Sequence, residues 1–364
     1  MIEAAQILRE LVAIDSTSAV SNLPLLDVLE RHAGALGFTT RRQEWTDAAG
    51  VPKGNLIALR GAAAPGGLAL VGHTDCVPFD PAWSGALRPE EREGKLYGRG
   101  AADTKAFLAA ALAAAARAKN GGTLHLVFTA DEEVGCLGAR RLGEDAAFRP
   151  QRAIVGEPTR LIPVLGHKGY CLLEIAVHGA EGHSAYPETG SSAILAAGRV
   201  LREIERIGAE MQSDADPLFS PPHTTLNVGL IQGGKAKNVI PGLCTLTLEW
   251  RPLPRQDLRR VLRLVEEACA RLGGRIEVKP QRLDAGVLVS RHSEVVSFLE
   301  QRSGRPPETI PFGTELPYLA ALGADACVFG PGDIRVAHRT GEFVPLHELA
   351  HAVEILTMAI ERFA

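Results

Sequence analysis

Residues 68–78, which read LALVGHTDCVP, constrain the fold of this chain more than any other stretch. The apolar run at residues 68–71 stands between glycines, which predicts a short strand buried on both faces of a parallel or mixed sheet. His73 and Asp75 follow where this strand ends. Ligands collect at the carboxyl ends of strands in open α/β sheets, so His73 is placed to bind a metal and Asp75 to orient its other nitrogen. A single His-x-Asp is more often an ordinary hydrogen-bonded pair, so this interpretation needs support from other strand ends.

A carboxylate also stands at the start of the next predicted helix. Residues 96–105, which read LYGRGAADTK, lead into a long alanine-rich helix predicted over residues 106–119. Asp103 lies in the glycine-rich segment that directly precedes this helix. Asp is among the best helix-capping residues, so a purely structural role competes with a functional one.

Acidic residues follow two further predicted strands. The strand at residues 123–129 runs into three successive acids that include Glu132 and Glu133, and the strand at residues 153–155 is followed closely by Glu157. Like charges held close together raise one another's pKa unless a cation neutralises them, although a solvated turn would also accommodate them.

The C-terminal part of the chain supplies a last candidate ligand. His338 lies in the run FGPGDIRVAH, which begins at the end of a strand predicted over residues 326–329. A helix cap, a solvated turn and an ordinary surface pair would all have to hold independently to explain these side chains. One dinuclear metal site explains them jointly.

Length and charge narrow the class of protein. A chain of 364 residues exceeds a typical single core, which predicts two domains or one domain with an insertion. A net charge of −4, from 39 basic and 43 acidic residues, argues against a nucleic-acid or membrane-surface partner.

The sequence also predicts where the protein is located. The most apolar run, residues 106–116, is shorter than the about 20 residues that span a bilayer, and no secretory signal is recognised, so a cytoplasmic location is expected. The six cysteines form no Cys-x-x-Cys pair, which favours free thiols over disulfides.

The middle of the chain predicts a separate domain. Residues 170–283 have the order strand, helix, strand, strand, helix, strand, which is the ferredoxin-like α+β pattern. This domain would be inserted between two parts of an α/β catalytic domain, residues 1–169 and 284–364. Its GHSA loop contains His183, which on its own would be interpreted as a surface histidine.

The predicted helices and strands of the whole chain are as follows. Helices are predicted over residues 2–12, 25–36, 106–119, 191–207, 258–272 and 294–301, and a last helix begins near residue 346. Strands are predicted over residues 38–45, 55–60, 68–71, 123–129, 153–155, 170–178, 225–231, 244–250, 275–279 and 326–329.

A set of motifs occurs in a fixed order along the chain: GHTDCVP, GRGAADTK, TADEEVG, GEPT, GHSA, KNVIPG with the following EWRPLPR, and FGPGDIRVAH. With them the chain resembles the acetylornithine deacetylase and succinyl-diaminopimelate desuccinylase family of co-catalytic zinc amidohydrolases over nearly its whole length. The resemblance implies a zinc-peptidase-like catalytic domain with a mixed sheet, interrupted by an inserted ferredoxin-like lid or dimerisation domain.

The resemblance also implies which residues bind metal. Asp103 would bridge two ions, His73 and Glu157 would complete one site, and Glu133 and His338 would complete the other. Two-metal sites place the ions about 3.5–4 Å apart, and a bridging carboxylate offsets their repulsion. Imidazole and carboxylate ligands suit zinc, although cobalt or manganese would also be accepted. The expected cofactors are therefore two zinc ions.

Catalytic roles follow from the same resemblance. Glu132 would be the general base that takes a proton from the attacking water and passes it to the leaving amine, and Asp75 would orient His73. His183 of the GHSA motif would stabilise the developing oxyanion across a homodimer formed through the inserted domain. The active site would then be shared between two chains, and monomers would be poorly active.

The substrate carboxylate has its own candidate ligands. Asn238 lies in the KNVIPG motif and Arg251 in the EWRPLPR motif, both within the inserted domain, and an arginine suits a bidentate contact with a carboxylate. Gly330 and Gly332 would offer backbone amides to the same group. An ordinary salt bridge is the alternative interpretation of Arg251.

The segment TELP at residues 314–317 and the GPGDIRVAH run resemble deacetylases of acetylornithine and acetylcitrulline more than desuccinylases. Thr314 is therefore a candidate substrate-binding residue, whereas Glu315 could instead be structural. The expected substrate is a small N-acyl amino acid, foremost N2-acetyl-L-ornithine, which would yield L-ornithine and acetate in arginine biosynthesis. Acetylcitrulline, succinyl-diaminopimelate, another acylamino acid or a dipeptide remain alternatives, because a few pocket residues shift specificity. A non-catalytic binding protein on a hydrolase fold is the alternative from another class.

Overall fold

The computed structural model of the protein describes residues 3–62, 66–119 and 122–364. These residues form two compact units. Unit 1 combines the described residues up to Leu165 with Val289–Glu308 and Thr314–Ala364, and unit 2 comprises Gly166–Leu288 with Thr309–Gly313. The first residue of the helix predicted over residues 2–12 lies outside the described residues.

The helices and strands are numbered in chain order. The helices are α1 (Ala4–Val12), α2 (Leu23–Ala35), α3 (Lys105–Arg117), α4 (Leu137–Glu144), α5 (Ala193–Met211), α6 (Arg260–Leu272), α7 (Glu294–Ser303), α8 (Leu316–Ala321) and α9 (Leu346–Phe363). The strands are β1 (Thr39–Thr46), β2 (Pro52–Arg60), β3 (Leu68–His73), β4 (Glu90–Arg92), β5 (Lys95–Tyr97), β6 (Leu124–Thr129), β7 (Arg152–Val155), β8 (Val164–His167), β9 (Tyr170–His178), β10 (Gly182–His183), β11 (Thr225–Gly233), β12 (Val239–Ile240), β13 (Leu243–Arg251), β14 (Arg275–Asp284), β15 (Val287–Leu288), β16 (Glu308–Ile310), β17 (Asp325–Val328) and β18 (Phe343–Pro345).

A mixed sheet forms the centre of unit 1, which confirms the predicted α/β class. The strands from β1 to β8 follow the order β1-β2-β6-β3-β7-β17-β8 within this sheet. Strands β6, β3, β7 and β17 run parallel, and β3 is buried along its whole length, as the apolar run at residues 68–71 predicts. His73 pairs with Thr129, and Val155 pairs with both Val71 and Val328. The carboxyl ends of these strands therefore meet at one edge of the sheet.

Helix α3 packs closely against the sheet because most of its side chains are small. The helix is alanine-rich, and every side chain at residues 105–115 is buried. Gly156, which follows β7, leaves room for the Phe107 ring, since a Cβ at that glycine would lie 2.1 Å from two ring atoms. The start of α3, and with it the loop that carries Asp103, is thus packed against the ends of the parallel strands.

Unit 2 contains a four-stranded antiparallel sheet in the order β11-β13-β9-β14. Together with α5 and α6 it shows the predicted ferredoxin-like succession of elements. Side chains of the helices and of the sheet form a common apolar core that includes Val200, Val265 and the fully buried Trp250. A separate two-stranded sheet pairs His183 of β10 with Val239 of β12.

Several short elements are absent from the sequence prediction. Helices α4 and α8 and strands β8, β15 and β16 belong to this group, as does the small sheet of β4, β5 and β18. Helix α8 has six residues and β15 has two, which is too short for a hydrophobic period to be recognised. Predicted helix ends also shift, since α5 continues to Met211.

All six cysteines are buried, and none of them forms a disulfide bond in the described part of the chain, as the sequence predicts. Among the helices in the described ranges, none combines the length and the apolar character needed to cross a membrane.

Candidate metal centre

The predicted metal ligands converge at the carboxyl edge of the parallel strands in unit 1. They form two triads, His73 with Asp103 and Glu157, and Asp103 with Glu133 and His338, and within each triad one ligand atom per residue lies within 4.8 Å of the others. Asp103 belongs to both triads. Its Oδ1 lies 3.0 Å from Nε2 of His73, and its Oδ2 lies 3.1 Å from Nε2 of His338. Each oxygen of Asp103 therefore faces a different triad, which is the arrangement that a carboxylate bridging two cations needs.

The backbone explains why Asp103 is free to face both histidines. The residue that caps α3 is Thr104, and its side chain makes no capping hydrogen bond. Asp103 precedes this cap, and its carboxylate is directed toward His73 and His338 rather than toward the helix amides. The capping interpretation of Asp103 therefore does not describe this loop.

His73 is oriented by a main-chain group. Its Nδ1 lies 2.9 Å from the backbone carbonyl oxygen of Asp75, whereas the nearest Asp75 carboxylate oxygen is 3.7 Å away. A carbonyl can only accept, so Nδ1 carries the proton of the neutral ring and Nε2 is left as the ligand atom. Asp75 thus orients His73 through its carbonyl, which differs from the carboxylate contact that the sequence suggests.

The acidic loop after β6 is held by a buried ion pair that has no signal in the sequence. Asp131 adopts a left-handed backbone with φ of 57° and lies 3.0 Å from Nζ of Lys53. Lys53 is buried and also donates to the carbonyl oxygens of Ser18 and Val20, at 2.7 and 2.8 Å. Because Asp131 directly precedes Glu132, this lysine helps to fix where the candidate base lies.

The carboxylates of the site repel one another in the absence of a cation. Burial raises the pKa of Glu132, and the charges of Glu133 and Asp75 add to that effect. Burial and the charge of Asp103 raise the pKa of Glu157 well above its usual range. Burial also raises the pKa of Glu133, although a hydrogen bond with His338 opposes the shift.

The histidines respond in the opposite sense. Burial alone would lower the pKa of His73, but its hydrogen bond with Asp103 and the negative charges around it raise that pKa well above the usual value. Hydrogen bonds with Asp103 and Glu133 raise the pKa of His338 to about 10. Burial alone would raise the pKa of Asp103, but its hydrogen bonds with the two histidines lower that pKa. The site therefore attracts protons, and divalent cations would neutralise the same charge while requiring neutral imidazoles. The donor set fits a metal pair.

Three predicted site residues belong to unit 2. His183 is exposed, and its Nδ1 accepts a hydrogen bond of 3.1 Å from the amide of Ala185. Asn238 lies nearby, since its carbonyl oxygen accepts from the amide of Ser184 at 3.2 Å. Arg251 is the last residue of β13, whereas Asn238 precedes the first residue of that strand. The nine residues of β13, each of which adds about 3.4 Å, therefore separate Arg251 from Asn238 and His183.

Arg251 makes the ordinary contacts that the alternative interpretation describes. Its Nε donates to Glu249 at 2.8 Å, and its guanidinium lies 4.6 Å from the centre of the Tyr170 ring. A role in substrate binding would use the part of the guanidinium that these contacts leave available.

The glycines after β17 do not offer free backbone donors in this structure. The Gly332 amide donates to Oε2 of Glu348 at 2.8 Å, and the Gly330 amide donates to the hydroxyl of Thr159 at 3.2 Å. Thr314 is buried, and its hydroxyl accepts from the amide of Leu316 at 3.2 Å. The expected contacts of Gly330 and Gly332 with a substrate carboxylate would require these amides to be released first.

Glu315 is a buried acid whose environment is unusual. Neither carboxylate oxygen is in hydrogen-bonding geometry with a donor in the described part of the chain. Burial raises the pKa of Glu315 to about 7, although the nearby Thr129 hydroxyl and His73 oppose the shift. The TELP segment makes this position recognisable in the sequence, whereas the burial of Glu315 is a property of the folded chain.

Comparisons with known proteins identify the family and the relatives of this chain. The family model described as "Peptidase family M20/M25/M40" matches residues 69–362. An acetylornithine deacetylase from Myxococcus xanthus is 51% identical over 365 residues, which cover 98% of this chain and 96% of that protein. Another acetylornithine deacetylase, from Proteus mirabilis strain HI4320, is 35% identical over 375 residues with the same coverage.

Solved structures share the fold. A tripeptidase from Staphylococcus aureus superposes with a TM-score of 0.80 at 22% identity and covers 99% of this chain and 97% of that chain. An M20 family metallo-carboxypeptidase from Sulfolobus solfataricus gives a TM-score of 0.78 at 18% identity and covers 99% of both chains. At these identities the two structures establish the architecture alone.

Proposed function

Because this chain belongs to peptidase family M20/M25/M40, we propose that it is a two-zinc amidohydrolase that converts N2-acetyl-L-ornithine and water to L-ornithine and acetate. Membership of the family makes the chain a metal-dependent enzyme. The substrate follows from the relatives, since the 51% identical protein from Myxococcus xanthus and the 35% identical protein from Proteus mirabilis both carry the name acetylornithine deacetylase.

One observation carries the mechanistic part of the proposal. The two ligand triads share Asp103, and each of its oxygens faces a different histidine. His73 and Glu157 would complete one zinc site, and Glu133 and His338 the other. Bound there, the ions would polarise the acyl carbonyl and make a water molecule acidic enough to react at neutral pH.

Glu132 is the residue that moves the proton in this proposal. In the sequence it stands between the ion-paired Asp131 and the proposed ligand Glu133, but it belongs to neither triad. Its carboxylate takes a proton as the water oxygen bonds to the acyl carbon, and it then gives that proton to the departing amine nitrogen as the carbon–nitrogen bond breaks. Acetate and the free amine are the products.

His183 has the hydrogen-bonding pattern of an oxyanion ligand. The Ala185 amide donates to its Nδ1, so the proton of the neutral ring is carried by Nε2. An exposed Nε2–H is a donor that can serve a carbonyl oxygen on which negative charge develops. We propose that it does so in the active site of a partner chain.

A homodimer through unit 2 is supported by an apolar surface around β11. This strand lies at one edge of its sheet and so leaves backbone groups available for another strand. Exposed apolar side chains lie on β11, at the start of α5 and at the start of β13: Leu230, Ile231, Ile194, Leu195 and Leu243. A second copy of the chain that covers this surface would bury the apolar side chains and pair the free edge.

A cytoplasmic location is also proposed. The six buried cysteines, none of which forms a disulfide bond in the described residues, support it, because thiols persist in a reducing compartment.

The proposal is tested with zinc-loaded protein and a panel of substrates. We expect N2-acetyl-L-ornithine to give the highest kcat/KM, ahead of N-acetyl-L-citrulline, N-succinyl-diaminopimelate and a set of dipeptides. A higher kcat/KM for one of the other substrates would change the proposed substrate but leave the proposed hydrolase activity in place. Tight zinc binding without hydrolysis of any of them would favour the non-catalytic binding protein.

A further inference from the structure

The centre is assembled from chain segments that lie far apart in sequence. Asp103 precedes unit 2, and His338 follows it. Their side chains nevertheless lie 3.1 Å apart, between His338 Nε2 and Asp103 Oδ2. Some contact between the two loops must therefore set this separation, because a change of about 1 Å would spoil the geometry of a metal site.

Strands β5 and β18 bring the two loops side by side. Phe343 pairs with Tyr97 in antiparallel register, so the segment that leaves Tyr97 toward Asp103 runs next to the segment that leads from His338 into β18. The Gly98 amide continues this pairing by donating to the carbonyl oxygen of Glu342 at 3.0 Å.

The side chain of Glu342 then binds the loop of Asp103 directly. Its Oε1 accepts hydrogen bonds from the amides of Ala102 and Asp103, at 3.0 and 3.1 Å. Its Oε2 accepts from Nη1 of Arg99 at 2.5 Å. The carboxylate is fully buried, so solvent does not compete for these three contacts.

The same residue is tied closely to His338. The Glu342 amide donates to the carbonyl oxygen of Arg339 at 3.3 Å, which closes a tight turn directly after the histidine. His338 itself has a left-handed backbone with φ of 60°. A shift of Glu342 would therefore move His338 as well as Asp103.

We propose that Glu342 is a positioning residue that sets the separation between Asp103 and His338, and thereby the affinity and geometry of the metal site that they form with Glu133. This inference rests on the proposed metal centre. Glu342 belongs to neither ligand triad, so it would act through the two loops and not as a ligand.

The test uses Glu342→Asp, which keeps the charge but is one methylene shorter. The variant and the parent protein are loaded with cobalt(II), and the visible absorption spectrum and the affinity for each of two ions are measured. We expect a changed spectrum and an affinity for one of the two ions that is weaker by about 10- to 100-fold, as for other residues that support metal ligands. The free energy of unfolding of the metal-free proteins is measured in urea to separate this effect from a general loss of stability.

Asp325→Asn is the matched control. The carboxylate of Asp325 also accepts from two successive amides, those of Glu294 and Val295, at 2.9 and 3.3 Å, but at the start of α7. We expect this variant to bind both ions with the parent spectrum, whatever stability it loses.

Glu342→Gln is the second variant, and it is used alone if Glu342→Asp does not fold. It keeps the length and one acceptor oxygen but loses the ion pair with Arg99, and we expect a smaller change in the same direction. The inference is overturned if the folded Glu342 variants bind two cobalt ions with the parent spectrum and affinities, or if Asp325→Asn alters them equally. Absence of cobalt binding by the parent protein would instead overturn the proposed metal centre and this inference together.

Discussion

The carboxylate of Asp75 accepts a hydrogen bond of 3.0 Å from the backbone amide of Glu132. Its second oxygen accepts from the amide of Glu133 at 3.2 Å and from the hydroxyl of Ser18 at 2.8 Å. One aspartate at the end of β3 thus orders the loop that carries both glutamates, while its carbonyl orients His73. Each glutamate amide is thus held by a different oxygen of the same carboxylate, which fixes where the two adjacent acids begin.

Replacing each of these glutamates should separate catalysis from metal binding. Glu132→Gln removes the proposed base, so we expect turnover to fall by about 10²- to 10⁴-fold while zinc content is retained. Glu133→Gln removes a proposed ligand, so we expect zinc content itself to fall. Zinc content by elemental analysis and steady-state kinetics on the same samples measure both. Undiminished turnover in Glu132→Gln would remove this residue as the base.

Metal removal should destabilise unit 1 because buried carboxylates then repel one another. We expect added zinc to raise the unfolding free energy by about 2.7 kcal/mol per site when free zinc is about 100 times its Kd. Thermal unfolding with zinc and with a chelator measures the difference. Asp103→Asn, which weakens the shared ligand, should abolish most of the effect, whereas equal melting temperatures with zinc and with chelator in the parent protein would contradict a metal centre.

Glu315 should make the metal-free protein less stable as the pH rises. Its pKa is raised to about 7 in the folded chain from an ordinary value of 4.5, so the unfolded chain releases this proton first. Stability is therefore lost as the pH rises through that window. We expect metal-free Glu315→Gln to be more stable than the parent at pH 8, by on the order of 3 kcal/mol, with the difference vanishing near pH 4.5.

Urea unfolding at both pH values measures this difference. Glu354→Gln on the exposed face of α9 is the control, and it should leave the pH dependence unchanged. A difference between parent and Glu315→Gln that does not vary with pH would show that Glu315 is not the titrating group.

His125 should have the opposite effect at acid pH. It is buried, and neither ring nitrogen has a hydrogen-bond partner in the described residues. Burial, with a contribution from the charge of Arg41, lowers its pKa from the usual 6.5. The unfolded chain therefore takes up a proton that the folded chain rejects, and stability is lost as the pH falls below about 6.5.

His125→Leu should thus reduce the loss of unfolding free energy between pH 7 and pH 5, as measured in urea. His351→Leu, on an exposed face of α9, should retain the parent slope. Identical slopes for parent and His125→Leu would assign the acid sensitivity to other groups.

Mixed dimers should reveal whether His183 acts across two chains. His183→Ala and Glu132→Gln are each expected to be nearly inactive alone. When the two variants are mixed and allowed to exchange, we expect activity of about a quarter of the parent, because half of the dimers of a two-fold assembly are mixed and each mixed dimer has one intact site. Exchange is verified with a mass label on one variant, and verified exchange without recovered activity would count against a shared site.

The place where the candidate ligands gather could be predicted from the ends of the strands, whereas their division between two metal sites was implied only by the resemblance to the deacetylase family. His73, Glu133 and Glu157 all follow closely after apolar strands, and the parallel sheet places such strand ends together. The order of elements in unit 2 was predictable for the same reason, since long strands and helices have recognisable periods. Short elements such as α8 carry too few residues for such a period.

The contacts that set the geometry of the centre could not be predicted. The pairing of Lys53 with Asp131, the hydrogen bond of the Asp75 carboxylate to the Glu132 amide, and the three contacts of Glu342 all join residues that are distant along the chain. Such contacts leave no periodic pattern, because they depend on which loops meet after the sheet has formed. The side chains that stand at the ends of the strands are therefore predictable from the sequence. The way in which they are held depends on the folded chain, since a buried charge takes whichever distant partner the packed backbone brings within hydrogen-bonding reach.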